Sequence, residues 1–257
     1  MRASFTWRVL LALFVMVASG ARADTPNVAA ASDLQLVLSD AARAFKITTG
    51  RDVRLVMGSS GQFARQIQAG APFELFLSAD ESFVELLAKA GRTEDAGVLY
   101  AIGVLALVVP LQSKIELDAN LAGLGRSIAA GTVRRLAIAN PEHAPYGRAA
   151  RAALQTRGLW ASIEPRLVLG ESVSQASQFL TTGAVDAAIV SLALLYGPAL
   201  AGKSRHAIVA PNLYPPLRQR MVLVKGAGAT ARDFYVFLQS DAARALFDRY
   251  GFGRPPP

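Results

Sequence analysis

The chain of 257 residues has no cysteine, only two histidines, and few aromatic residues, 8% of the total. Without cysteine it forms neither disulfides nor thiolate metal sites, although that says nothing against an oxidising compartment. His143 and His206 are not spaced with acidic residues as metal ligands are. No G-x-S-x-G elbow is present, and neither histidine lies in an evident triad with Ser59 or Ser60, which argues against a secreted hydrolase. Acidic residues are outnumbered, 19 against 27 basic ones. The basic residues are scattered, the densest pairs being Arg134-Arg135 and Arg218/Arg220. No basic stripe interleaves with aromatics, so no nucleic-acid partner is expected.

Long apolar runs are also scarce. The one at the start, Val9 to Ala18, follows Arg2 and Arg8 and precedes Ala21-Arg22-Ala23, which has the small-x-small form of a cleavage site. It is shorter than the ~20 apolar residues of a spanning helix. Residues 1–23 are therefore expected to be a secretory signal, removed to release an exported, soluble chain. The signal carries three arginines and no acid, so the formal charge falls from +8 to +5. The remaining 234 or so residues suffice for one or two domains with a proper core. A mildly basic surface is either ordinary solvation or an aid in collecting anions.

What the chain does contain is a repeated junction. Three times an apolar strand-like run stops at a small hydroxyl or Gly-rich step and a helix-like run opens at once. The places are Ala29-Ala-Ala-Ser-Asp-Leu34, Met57-Gly-Ser-Ser-Gly-Gln62 and Asn140-Pro-Glu-His-Ala-Pro-Tyr-Gly147. Each exposes free backbone N–H groups at the positive end of a helix, and converging junctions of this kind hold an anion without a charged side chain. Ser32 and Ser60 add hydroxyl donors, Gly58 and Gly61 allow close backbone approach, and Pro145 sits where a missing N–H costs little. Each feature has a plainer alternative. Ser32 or Asp33 is then a helix cap, Gly58 to Gly61 a turn, and Glu142 and His143 loop stabilisers.

Around these junctions the pattern is β-α repeated. Strands are expected at Asn27–Ala31, Val53–Met57 and Glu74–Leu77, with helices after each and Gly50 and Gly91 as C-terminal caps. Ala101–Val109 is expected to be one strand passing between two lobes. A second β-α series follows, and a strand at Met221–Val224 returns to the first lobe. The expected fold is α/β with two lobes: residues 24–102 plus 213–257, and residues 103–212. The ligand belongs in the cleft between them, at the carboxyl ends of strands.

Gly197-Pro-Ala-Leu-Ala-Gly-Lys-Ser204 matches the nucleotide-binding pattern G-x-x-x-x-G-K-[ST]. That loop needs a helix from its Lys-Ser step, whereas a short strand ended by Pro211 is expected here, and Pro198 removes a cradle N–H.

The junctions, together with Ala64-Arg-Gln-Ile67, Ala69-Gly-Ala-Pro72, Leu75-Phe-Leu-Ser-Ala-Asp80 and Arg249-Tyr-Gly-Phe252, resemble in order the periplasmic molybdate-binding proteins of ABC importers. The resemblance implies a type II periplasmic binding protein, each lobe a mixed sheet flanked by helices. It implies a monomer, not an enzyme and without a cofactor, that closes on molybdate or tungstate and docks on a membrane permease. The family's ligand positions fall on Ser32, Ser60, Tyr146, Val173 and Ser191. Tyr146 and Val173 would bind through their backbone. At the last position many members have Ile-Val-Tyr, with the tyrosine hydroxyl on the anion, and this chain has Ile189-Val-Ser191. Either Ser191 binds through a changed backbone, or Tyr146 supplies the hydroxyl, or a water fills the gap. Sulfate, phosphate or a small organic acid is the rival ligand. A phosphate site would want a carboxylate acceptor, and none is obvious at the junctions.

Overall fold

The computed structural model describes residues 25–255; the expected signal segment lies outside the described residues. In chain order, β1 (Asn27–Ala31) leads through a 3-10 turn (Ser32–Leu34) into α1 (Gln35–Thr49). Then come β2 (Arg54–Gly58), α2 (Ser60–Gln68), β3 (Leu75–Ser78), α3 (Glu81–Lys89) and β4 (Val98–Gly103). The second series is β5 (Leu105–Pro110), α4 (Ala122–Ala129), β6 (Leu136–Ala139), α5 (Pro145–Thr156), α6 (Trp160–Ile163), β7 (Leu167–Gly170), α7 (Val173–Thr181), β8 (Ala187–Ser191) and β9 (Ser204–Ile208). β10 (Leu217–Leu223), α8 (Ala229–Phe237) and α9 (Asp241–Arg249) follow.

Two five-stranded sheets result, in the orders β2-β1-β3-β10-β4 and β7-β6-β8-β5-β9. β1, β2 and β3 are parallel, as are β6, β7 and β8, while β10 and β5 run antiparallel to their neighbours. Both sheets are therefore mixed, with helices on their faces. The apolar run at 101–109 is two strands rather than one: Val104 separates β4 in the first sheet from β5 in the second. β5, β6 and β8 are buried almost throughout, as strands covered on both faces must be, which is why they read as unbroken apolar runs. The chain passes back to the first sheet between β9 and β10. Two connections thus join the sheets, and the turns that follow β1, β2 and β6 face one another across the gap.

Gly50 ends α1 with φ 72° and donates its N–H to Lys46 O, the left-handed cap its position predicted. The Arg249-Tyr-Gly-Phe252 segment has a packing reason. Arg249 and the Tyr250 hydroxyl both bind the Asp40 carboxylate, and Phe252 is buried. Gly253 then exchanges two backbone hydrogen bonds of 2.8 Å with Ile102 on β4. Residues 197–204 do not form a nucleotide loop. They follow a 3-10 segment (Leu192–Tyr196) and enter β9 at Ser204, with no helix at Lys203. Lys203 Nζ donates instead to Pro198 O at 3.2 Å.

Candidate functional site

The N-terminal ends of α2, α5 and α7 and the turn after β1 meet at a small, nearly closed cavity. Ser32, Ser60, Tyr146 and Val173 all line it, with Gly58, Ser59, Pro145 and the strand-end residues Ala31 and Ala79. Ser60 and Val173 are the first residues of their helices and Tyr146 the second. Their amides accordingly have no intrahelical carbonyl to bond, and each helix adds the positive end of its dipole. No arginine, lysine or histidine is among the lining residues.

The two serines are oriented by backbone donors. Ser60 Oγ accepts from Ala79 N at 3.0 Å. Ser32 Oγ accepts from Ser174 N, on the other side of the cleft, at 3.2 Å. A hydroxyl whose oxygen is held by a donor keeps its own proton to give, so both are set up to donate. Pro145 occupies the first position of α5, and Gly147 packs so closely on the Ala139 carbonyl that no Cβ fits there. The sequence Pro-Tyr-Gly thereby brings the start of α5 hard against the end of β6.

Ser191 is not a lining residue. It lies behind the cavity, its Oγ donating to the Tyr146 hydroxyl at 3.1 Å. Gln219 Nε2, on β10, reaches the same hydroxyl at 3.4 Å and donates to Asp33 Oδ2 at 2.7 Å. The Tyr100 hydroxyl donates to Gln219 Oε1 at 2.8 Å. The Tyr146 side chain therefore points away from the cavity, to where the chain crosses between sheets. A Cβ added to Gly103 would lie 2.5 Å from its hydroxyl. Burial, and next the Asp33 charge, push the Tyr146 phenol well above its usual range.

Asp33 was expected as a possible helix cap, yet it caps nothing. It is fully buried at the cavity, with Oδ1 lacking a hydrogen-bond partner. Burial raises its carboxyl to about 6, against the opposing hydrogen bonds of Gln219 and Tyr146. A carboxyl does therefore stand beside the junctions, contrary to the expectation. Its partner Gln219 is too distant in sequence for any local signal to reveal it.

His143 does contact Ser59, which also differs from expectation: Nδ1 is 3.0 Å from Ser59 Oγ, and Nε2 is 3.2 Å from Glu171 Oε2. The order resembles a hydrolytic triad, but the proton runs the wrong way. Ser59 Oγ donates to the His143 carbonyl at 2.6 Å, so the imidazole must donate to that oxygen and is not its base.

Further bonds close the cleft. Gly61 N donates to His143 O at 3.0 Å, Gln62 Nε2 to Glu171 Oε2 at 2.8 Å, and Arg148 on α5 to Asp80 at 2.5 Å while lying over the Phe83 ring. The basic pair Arg218/Arg220 is bound by Glu81 rather than directed to the cavity.

The fold is that of known proteins. The chain is 34% identical over 243 residues to the molybdate-binding protein ModA of Azotobacter vinelandii, covering 93% of each. It is 33% identical to ModA of Rhodobacter capsulatus over 94% of this chain and 93% of that one. The solved periplasmic molybdate-binding protein of Azotobacter vinelandii superposes with a TM-score of 0.82 at 31% identity, over 90% of this chain and all of that one. A family profile described as bacterial extracellular solute-binding protein matches residues 26–253, and the chain belongs to that family.

Proposed function

We propose that this protein captures molybdate, and tungstate too, in the periplasm and delivers it to the membrane permease of an ABC importer. One observation carries this: a small cavity between two sheets, walled by three helix N-termini and two serine hydroxyls and by no basic side chain. A tetrahedral dianion offers only acceptor oxygens, and the helix ends and hydroxyls of this wall offer donors in fixed directions. The ligands are Ser32, Ser60 and the amides of Tyr146 and Val173, with Ser191 acting through Tyr146. The binding unit is a monomer with no catalytic role, no cofactor and no nucleic-acid partner. Its lobes are residues 24–102 with 213–257, and residues 103–212, and residues 1–23 are the export signal.

Selectivity rests on size, because molybdate and sulfate share charge and shape. A cage spaced for the larger ion leaves sulfate with stretched bonds. Losing two charged hydrogen bonds at ~1.5–3 kcal/mol each gives a preference of about a hundredfold or more. Calorimetric titration of the mature protein with molybdate, tungstate, sulfate and phosphate tests this. One molybdate or tungstate per chain, with sulfate at least about a hundredfold weaker, is expected. Tight sulfate or phosphate binding with no molybdate response would refute it; phosphate belongs in the set because Asp33 is a carboxyl at the cavity.

The Ser191 departure gives a second expectation. Tyr146→Phe removes the acceptor shared by Ser191 and Gln219 and is expected to weaken molybdate binding about tenfold, by loosening the start of α5. Ser191→Ala leaves Gln219 its acceptor and is expected to change affinity less than about threefold. The same titration on both variants decides it, and the reverse ranking would place Ser191 directly on the anion.

A further inference from the structure

Two segments that the sequence singles out, Leu75-Phe-Leu-Ser-Ala-Asp80 and the turn that opens α5, meet across the cleft in an ion pair outside the cavity. Asp80 is the N-cap of α3, where its Oδ1 accepts from Ser82 N at 2.8 Å. Its Oδ2 accepts from Arg148, the fourth residue of α5, at 2.5 Å. The Arg148 guanidinium also lies 4.8 Å from the centre of the Phe83 ring on α3. β3, which leads into α3, is in the first sheet, and β6, which leads into α5, is in the second. Every other ion pair among the described residues joins two groups on the same side of the cleft.

The arginine is awkwardly placed for its own helix. A cation at the first turn opposes the helix dipole, which favours negative charge there. Among the described residues the hydrogen-bond, ionic and aromatic partners of the guanidinium are Asp80 and Phe83, both across the cleft. Asp80, by contrast, sits at a helix N-terminus that welcomes its charge, in a firmly held turn. Ser78 Oγ donates to Asp80 O at 2.7 Å, and the intervening Ala79 N is the donor to Ser60 Oγ. The two side chains are 35% and 31% exposed, so their charge-assisted hydrogen bond is screened less than a pair in open solvent. The pair thus ties the segment that orients Ser60 to the turn that presents the Tyr146 amide, on opposite walls of the cavity.

We infer that Arg148 is a positioning residue that latches the closed form: it pairs with Asp80 only once the two sides have met over the anion, and the pair slows the anion's release. This rests on the proposed capture of an oxyanion by closure. Separation of the two sides would break the ion pair and the Phe83 contact, while Asp80 kept its place as the cap of α3. An anion enters before the latch is made and leaves after it is broken, so the pair acts on release and not on entry. Its effect also differs from that of two bare charges. Near a dianion Arg148 attracts and Asp80 repels, and neutralising them would push affinity in opposite directions. In a latch the two act together, and neutralising either one loosens the hold.

The experiment compares the mature parent with Arg148→Gln, Asp80→Asn and the double variant. Asparagine caps a helix as well as aspartate does, and glutamine is a good helix former, so both substitutions keep the local structure. Affinity is measured by calorimetric titration with molybdate, tungstate and sulfate. Release is measured by chasing bound radiolabelled molybdate with excess unlabelled molybdate, or tungstate or sulfate likewise where only they bind. Each single variant is expected to release the anion about tenfold faster, with an association rate within about twofold of the parent's. The double variant should also be about tenfold faster rather than about a hundredfold, because the second substitution has nothing left to break. The anion-free proteins should all unfold at the parent's temperature, since the open form lacks the pair. Tighter binding by Asp80→Asn beside weaker binding by Arg148→Gln, adding up in the double variant, would overturn the latch in favour of a plain field effect and leave the binding function intact. Release rates equal to the parent's would do the same. Failure of all three anions to bind the parent would overturn the binding function, and the latch with it.

Discussion

Alanine at position 61 is expected to lower molybdate affinity roughly 30- to 1000-fold while leaving the anion-free protein as stable as the parent. Gly61 is the second residue of α2, and its Cβ would lie 2.6 Å from the His143 carbonyl oxygen and 3.1 Å from its Cα, across the cleft. Those are backbone atoms, and the carbonyl is pinned by Ser59 Oγ and by Gly61 N itself. Phe83, 3.0 Å away by its ring edge, is the only neighbour that can turn aside. Relief therefore comes by moving the lobes apart, which breaks the Gly61–His143 bond and carries Ser174 away from Ser32. Two lost hydrogen bonds and a widened cage amount to ~2–4 kcal/mol, or roughly 30- to 1000-fold. Within its own lobe alanine is the better helix residue by about 1 kcal/mol, so the open form gains rather than loses. Gly147→Ala makes the contrast. Its Cβ would strike Ala139 and Asn140 of its own lobe, so it should lower the melting temperature even without anion. Titration and thermal unfolding of both variants separate the cases; parental affinity in Gly61→Ala would show that the lobes do not need this contact to close.

The elements that carry this contrast were legible where the physics is local. Strand-to-helix handovers at Ser32, Ser60 and Tyr146 follow from apolar runs broken by small residues, and Gly50 and Gly91 do take positive φ at helix ends. The split of the 101–109 run at Val104 was hidden because hydrophobicity records burial and not which sheet a strand joins. α4 left no periodic trace: its Ala-Gly-Leu-Gly start has two glycines, and Leu121 before it sits at φ 58°. It is held by Asp118, which accepts from the amides of Asn120, Ala122 and Gly123. Burial acts to raise that carboxyl, but the three donors hold it below its usual range. At the site, Ser32, Ser60 and Tyr146 were legible, since each belongs to one junction, whereas Val173 was reached only through the family resemblance. The Ser59–His143–Glu171 line and the Asp33–Gln219 bond were not. Each joins segments far apart in the chain that meet only when the two sheets come together, and no periodicity or motif encodes that apposition.

Asparagine at position 33 is expected to stabilise the protein at pH 7.5 and to tighten its hold on molybdate. The Asp33 carboxyl, buried beside the cavity, titrates near 6 rather than at 3.8, chiefly because burial disfavours its charge. The folded state thus holds the proton more tightly than the unfolded one. Stability is full below about pH 4, declines as pH rises through the interval to about 6, and stays reduced above it. The interval corresponds to ~3 kcal/mol, a loss that a neutral residue avoids. Asparagine keeps an acceptor for Gln219 Nε2 and carries no charge at any pH. The melting temperature of Asp33→Asn should exceed the parent's by roughly 5 °C or more at pH 7.5 and match it near pH 4. For the anion the same charge is a like charge close to a dianion, and the parent can escape it only by protonating Asp33. At pH 7.5 that escape costs ~2 kcal/mol, which bounds the gain in affinity at about thirtyfold. The gain should shrink toward pH 6, where the parent carries the proton half the time. An unchanged or lower melting temperature at pH 7.5 would mean that the buried carboxylate is solvated or paired in solution, and an affinity ratio independent of pH would mean that its charge does not reach the anion.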